Sequence, residues 1–170
     1  MARKLSKFEE EDQIFEYMGR ILSEWRFLED NLASVFDALV DSHHSNLSSV
    51  IYYSINSFPV RLKMIDTLLK WRFGEQNSTG KPSKRLREWR NLRRQIKGLE
   101  TLRNAIAHAH VHAPSQIEHA KRAYIQPSIF DGTLYVRYNP KIHPTLYLRD
   151  LKRIRLRIER TWFSIERFMS

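Results

Sequence analysis

The residues best suited to chemistry lie between Leu102 and His112, where the chain reads LRNAIAHAHVH. On a helix each residue turns about 100° around the axis, so Asn104 and His108 share a face, about 40° apart. Lys97, Arg94 and Arg90 fall within about 80° of Asn104, so a basic stripe leads along the helix to that pair, an arrangement of the size of one phosphate. Arg103 lies about 100° away, in the middle of the apolar stripe between Ile96 and Leu99, and His110 shares its face. Burying an unpaired guanidinium costs several kcal/mol, so Arg103 needs a carboxylate, an open cleft or an anionic ligand. Glu29 poses the converse question, because it lies within about 50° of the apolar stripe of the first helix, with Leu22, Phe36 and Val40 as neighbours. A buried Arg103–Glu29 ion pair is the expected answer to both.

A metal site is the rival use of the same segment. His108, His110 and His112 alternate as they would on one face of a strand, and His119 follows. If the helix runs through His110, however, the first two imidazoles point about 160° apart, and Glu118 is the nearest acid on the C-terminal side. No metal is expected. His43, His44 and His143 are read as turn residues.

The elements that must position these groups are helical. Ser6 and Glu9 form a capping box ahead of Ile14, Met18, Ile21, Trp25, Leu28, Leu32, Val35 and Leu39, spaced in alternating steps of four and three. That helix is expected over 6–41, ending at the turn 42–46. A short helix over 47–55 follows, then one opening at Pro59 with Val60, Met64, Ile65, Leu68, Leu69 and Phe73 on its apolar face. The stretch 74–81 reads as a surface loop. Ser83 caps the next long helix, expected over 83–110, with Leu86, Trp89, Leu92, Ile96, Leu99, Leu102 and Ile106 inward. Residues 122–139 carry an Asp131-Gly132 pair between β-rich segments and predict a short hairpin. A last helix is expected from about Thr145 to Phe168. The fold class is therefore all-α: a four- to five-helix bundle in one domain over 1–170, with a small β-hairpin inserted before the last helix.

Composition narrows the function. The chain has 170 residues, 42% of them apolar, no Cys, and 29 Lys plus Arg against 19 Asp plus Glu, a net charge of +10. The absence of Cys excludes disulfides, iron–sulfur clusters and thiolate chemistry. No apolar run reaches membrane-spanning length, and residues 1–12 are polar where a signal peptide would be apolar, so a cytoplasmic protein without a membrane partner is expected. Residues 1–42 hold 5 Lys or Arg and 10 Asp or Glu, so 43–170 hold 24 and 9. A region that basic attracts polyanions, most often nucleic acid. Trp25, Trp89 and Trp162 sit on apolar stripes and read as core. Tyr124, Tyr135 and Tyr138, interleaved with Arg122 and Arg137, suit stacking on unpaired bases and are equally ordinary on a β-ribbon. Arg149, Lys152, Arg153 and Arg160 form a basic face on the last helix, read as solvated surface.

Arg103-Asn104-Ala105-Ile106-Ala107-His108 resembles the motif of the HEPN superfamily, the higher eukaryotes and prokaryotes nucleotide-binding domain: Arg, a polar residue that is often Asn, then His after four to six intervening positions. The frame is also similar, with Trp25 and Glu29 on a long first helix, the motif late in another long helix and one more helix after it. The resemblance covers 6–112 and 145–169. It implies a homodimer whose two motifs face one cleft and, in many members, metal-independent endoribonuclease activity in toxin–antitoxin or other defence systems, with an antitoxin protein as possible partner.

In that family reading His108 is the general acid or base, Arg103 holds the scissile phosphate and Asn104 orients His108 or the substrate; Glu29 and His110 support, and Arg90, Arg94 and Lys97 bind RNA. RNA brings its own nucleophile, the 2′-hydroxyl, so an imidazole near pKa 6.5 and a guanidinium fork suffice, and no cofactor is implied. Some members carry a nucleotidylated Tyr two places after the motif His, where this chain has His110. Other members have lost activity. The alternatives are thus a catalytically silent HEPN interaction module and a non-enzymatic nucleic-acid binder.

Overall fold

The computed structural model describes residues 6–40, 47–74, 82–113, 122–127, 130–131, 134–135 and 145–170. The turn residues His43, His44 and His143, the loop 75–81, and His119, Arg137 and Tyr138 lie outside them. The fold is a helical bundle with a small antiparallel sheet before its last helix. Among the described residues the helices are α1 (Lys7–Val40), α2 (Leu47–Ser54), α3 (Phe58–Phe73), α4 (Lys84–Ala107) and α5 (Leu148–Met169). The strands are β1 (Ala109–His112), β2 (Tyr124–Pro127), β3 (Phe130–Asp131), β4 (Leu134–Tyr135) and β5 (Leu146–Tyr147). No helix among the described residues is long and apolar enough to cross a membrane.

Local chemistry sets the helix starts. The Ser6 N–H donates to Glu9 Oε2 at 2.7 Å while the Glu9 N–H donates to Ser6 Oγ at 3.2 Å, a reciprocal capping box. Hydrogen bonds to the carboxylate from the Ser6 backbone N–H and from the Ser6 side chain hold the Glu9 carboxyl below its ordinary range. Ser83 Oγ accepts from the Leu86 N–H at 3.2 Å and opens α4. Asp150 Oδ2 accepts from the Tyr147 N–H at 3.1 Å, so α5 starts at Leu148, the first residue of its apolar stripe and three residues after the expected Thr145.

The chain clusters into two compact units. The first comprises residues 1–25 and 98–158. Its buried side chains are Ile14, Ile21 and Trp25 on α1, Leu99 and Ile106 on α4, Ile125 and Leu146 on the sheet, and Leu151, Ile154 and Ile158 on α5. Arg155 Nε meets Glu24 at 3.0 Å, and Glu10 Oε2 accepts the Ala123 N–H ahead of β2.

In this unit the structure corrects two expectations. The motif helix ends at Ala107 instead of His110, and residues 109–112 form the edge strand of a three-stranded sheet ordered β1-β2-β5. Register explains the change. Val111 lies opposite Ile125, which lies opposite Leu146, and Ile125 and Leu146 are buried. Pairing an alternating segment against a core-facing partner strand outweighs the helix preference of the alanines, which is the strongest of any residue but small beside tertiary pairing. Gly132 lies outside the described residues, but Asp131 pairs with Leu134 and Phe130 with Tyr135 in the separate β3–β4 ribbon, so the described strands of the hairpin expected over 122–139 are divided between two sheets.

The second unit comprises residues 26–97 and 159–170. Leu28, Leu32, Val35 and Phe36 of α1 are buried, as are Tyr52, then Leu62, Ile65 and Leu69 of α3, Trp89 and Ile96 of α4, and Ile165 of α5. Two ionic groups are built into this core. Asp66, 3% exposed, accepts from Trp89 Nε1 at 3.0 Å and pairs with Lys70 Nζ at 2.8 Å and Arg93 Nη1 at 3.2 Å. Burial alone pushes its carboxyl up, but the hydrogen bonds from Lys70 and Trp89 and the charge of Arg93 prevail and hold it below the ordinary value. The other ionic group is Glu29 with Arg61.

Candidate nucleic-acid interface

Arg103 is half-buried near the end of α4. Its guanidinium lies 5.7 Å from the ring centroid of Trp25, which is 2% exposed, and Nη1 donates to Asn104 Oδ1 at 2.9 Å. Nε is enclosed without a hydrogen-bond acceptor. Arg103 therefore rests on an aromatic face and a neutral amide, with no carboxylate against it among the described residues. A guanidinium in that state keeps its full positive charge available to an incoming anion.

Glu29 has taken a different cation. Arg61 Nη2 meets Glu29 Oε2 at 3.2 Å, and the Arg61 guanidinium is ringed by Tyr52, Tyr53 and Phe58 at 5.2, 5.8 and 5.9 Å. The expected Arg103–Glu29 pair is thus replaced by Arg61–Glu29. Sequence reasoning missed Arg61, although it had a signal: Arg61 stands four residues before Ile65 and eight before Leu69, on the buried face of α3. Burial and the Asp30 carboxylate, which takes the Tyr53 hydroxyl as donor, push the Tyr53 hydroxyl pKa up to about 12.

Asn104 and His108 are both exposed. The His108 N–H donates to the Asn104 carbonyl at 3.2 Å, the last helical hydrogen bond, so the histidine stands at the turn where α4 gives way to β1. His110 is exposed on β1 opposite Gln126 instead of sharing the helical face of Arg103. His112 follows on the same side of that strand, its ring stacked on Tyr124 at 4.8 Å with an 11° interplanar angle. No group of three or more His, Asp or Glu side chains is arranged to hold a metal among the described residues.

Arg90, Arg94 and Lys97 are exposed on α4. Arg90 borders an open groove of about 290 Å³ with Lys70, Trp71, Gly74 and Leu86. Trp71 is 81% exposed there, an outlying indole that the reading of the tryptophans as core left out. Trp25 and Trp89 are buried and Trp162 half-buried. Arg149, Lys152, Arg153 and Arg160 are exposed on α5. No protein-family model, no curated protein and no solved structure matches the chain.

Proposed function

We propose that this protein is a HEPN-like RNA-binding protein that cleaves its substrate without a metal ion, acting as a homodimer in a toxin–antitoxin or defence setting. The observation that carries the reading is Arg103: a half-buried guanidinium seated on Trp25, lacking a carboxylate among the described residues, one position from Asn104 and on the same turn-and-a-half of chain as exposed His108. A fixed cation and a solvent-facing imidazole on one short segment are the two groups that phosphodiester transfer within RNA uses.

In this scheme Arg103 binds the non-bridging oxygens of one phosphate, and Asn104, whose side-chain oxygen is engaged by Arg103, fixes the fork's direction. The 2′-oxygen attacks phosphorus and the bond to the 5′-oxygen breaks. The 2′-hydroxyl loses one proton and the departing 5′-oxygen gains one, with His108 exchanging protons at that centre. The products are a 2′,3′-cyclic phosphate end and a 5′-hydroxyl end. Arg90, Arg94 and Lys97 supply non-specific attraction for the strand.

Incubation of purified protein with a mixed-sequence single-stranded RNA tests this directly. Cleavage that persists in chelator and leaves cyclic phosphate ends is expected; salt-dependent binding without any cleavage identifies the silent binding module instead. Sedimentation as a monomer at micromolar concentration removes the dimer from the scheme.

A further inference from the structure

We infer that the outer edge of the three-stranded sheet is a stacking site for an unpaired base of single-stranded RNA, with the free face of the His112 ring as its floor. The inference rests on the RNA reading of Arg103 and His108 and names what that site grips besides phosphate.

The sheet has two unlike faces. Val111, Ile125 and Leu146 are cross-strand neighbours on one, and Ile125 and Leu146 are buried. His112, Tyr124 and Tyr147 are cross-strand neighbours on the other, and all three are half-exposed. The rings make a ladder. His112 and Tyr124 are parallel to within 11° at 4.8 Å, and Tyr124 and Tyr147 follow at 6.4 Å and 54°. The first separation equals the spacing between adjacent strands, so the His112 and Tyr124 planes stand across the sheet with their faces along the strand-to-strand direction. The second face of Tyr124 is turned towards Tyr147. The second face of His112 has no ring against it among the described residues, because β1 is the edge strand.

A row of parallel rings that ends at an edge is continued most readily by another flat ring. The surroundings select a nucleobase. Exposed His110 stands two residues away on the same side of β1, offering hydrogen bonds to a base edge, and exposed Arg122 stands two residues before Tyr124, the first residue of β2. Residues 98–158 hold 10 Lys or Arg against 4 Asp or Glu, which complements a polyanion. Chain connection sets the distance scale. His108 directly precedes β1, so a nucleotide whose phosphate meets the Arg103–His108 end of α4 has a neighbour within reach of the His112 ring. An unpaired base is required, since the faces of paired bases are already occupied in a duplex.

The test uses two strands of eight nucleotides with 2′-O-methyl sugars, which lack the attacking hydroxyl: an oligoadenylate and an abasic strand of the same charge. Fluorescence anisotropy is expected to give about tenfold tighter binding of the oligoadenylate by wild-type protein. His112→Ala should erase that preference without changing the salt dependence of binding, His112→Trp should keep it, and Tyr124→Leu should reduce it. Equal binding of the two strands by wild-type protein, or an undiminished preference in a folded His112→Ala variant, overturns the inference. Equal binding by wild-type protein overturns the inference even if a variant does not fold, and a reduced preference in Tyr124→Leu reads the same ladder where His112→Ala does not fold. The two proposals fail separately. A base preference in wild-type protein that never cuts RNA supports the stacking site alone, whereas cleavage to cyclic phosphate with no base preference leaves the phosphate site standing and removes the stacking site.

Discussion

Arg61 holds Glu29 at 3.2 Å with 10% and 8% of the two side chains exposed, an ion pair enclosed by Tyr52, Tyr53 and Phe58. Neither charge reaches water freely, so each depends on the other for its solvation. Arg61→Met or Glu29→Leu alone should therefore destabilise the fold by about 3 to 5 kcal/mol, while the double replacement Glu29→Leu with Arg61→Met costs clearly less than the sum of the single changes. Urea unfolding of the three variants checks this. Additive losses would show that the pair is not coupled.

The same pair marks where the sequence stopped being legible. Stripes such as Ile14, Ile21 and Leu28 on α1 or Leu92, Ile96 and Leu99 on α4 are spaced by the helical turn, so they reveal both the helix and its buried side, and all six are buried. An angular position shows that Glu29 is inward. It does not show which of several inward cations, Arg61 or Arg103, comes to meet it, because that depends on how helices pack and not on the period of either. The four residues of β1 fail for another reason. His110-Val111-His112 alternates, but Ala107 to Ala109 reads equally well as helix, and the arbiter is the distant Ile125. The capping residues Ser6 and Ser83 were legible because their chemistry is local.

Asp66 makes stability depend on acid pH. Its carboxyl lies below its ordinary value in the folded protein, so the unfolded chain takes up the proton first as pH falls. Its contribution is present in full above an unfolded value near 3.8 and is lost as pH drops through the lower folded value. Asp66→Asn should lower stability at neutral pH, leaving Lys70 and Arg93 without their shared carboxylate, and should flatten the fall in stability below about pH 4. Thermal unfolding from pH 7 to pH 2.5 reads both effects. A variant whose acid limb parallels wild type would assign that limb to other carboxyls.

The basic residues of α4 should act on affinity and not on sequence choice. Arg94 and Lys97 are exposed, so their removal should leave stability within about 0.5 kcal/mol. Each replacement by Ala should weaken binding of unrelated RNA sequences by the same factor and reduce the slope of log affinity against log salt by about one. Titrations at several salt concentrations on two unrelated sequences measure both quantities, and a loss confined to one sequence would contradict a phosphate role.

The activity itself is tested most sharply by comparing His108 with Arg103. His108 is exposed, and the hydrogen bond it makes in the turn is through its backbone N–H, so His108→Ala should keep the fold and abolish cleavage while binding stays within a few fold. Arg103→Ala is equally informative, because Glu29 is held by Arg61 and no carboxylate among the described residues is left stranded. Its cost should be limited to the contact with Trp25 and the hydrogen bond to Asn104, about 1 to 2 kcal/mol, well short of Arg61→Met. Arg103→Lys keeps the charge and loses the fork, so it should retain most of the binding and little of the turnover. Three folded variants that cut RNA at the wild-type rate would show that the chemistry lies elsewhere on the chain; a folded Arg103→Ala that binds and never cuts, beside a His108→Ala that behaves the same way, assigns the two residues to one reaction centre.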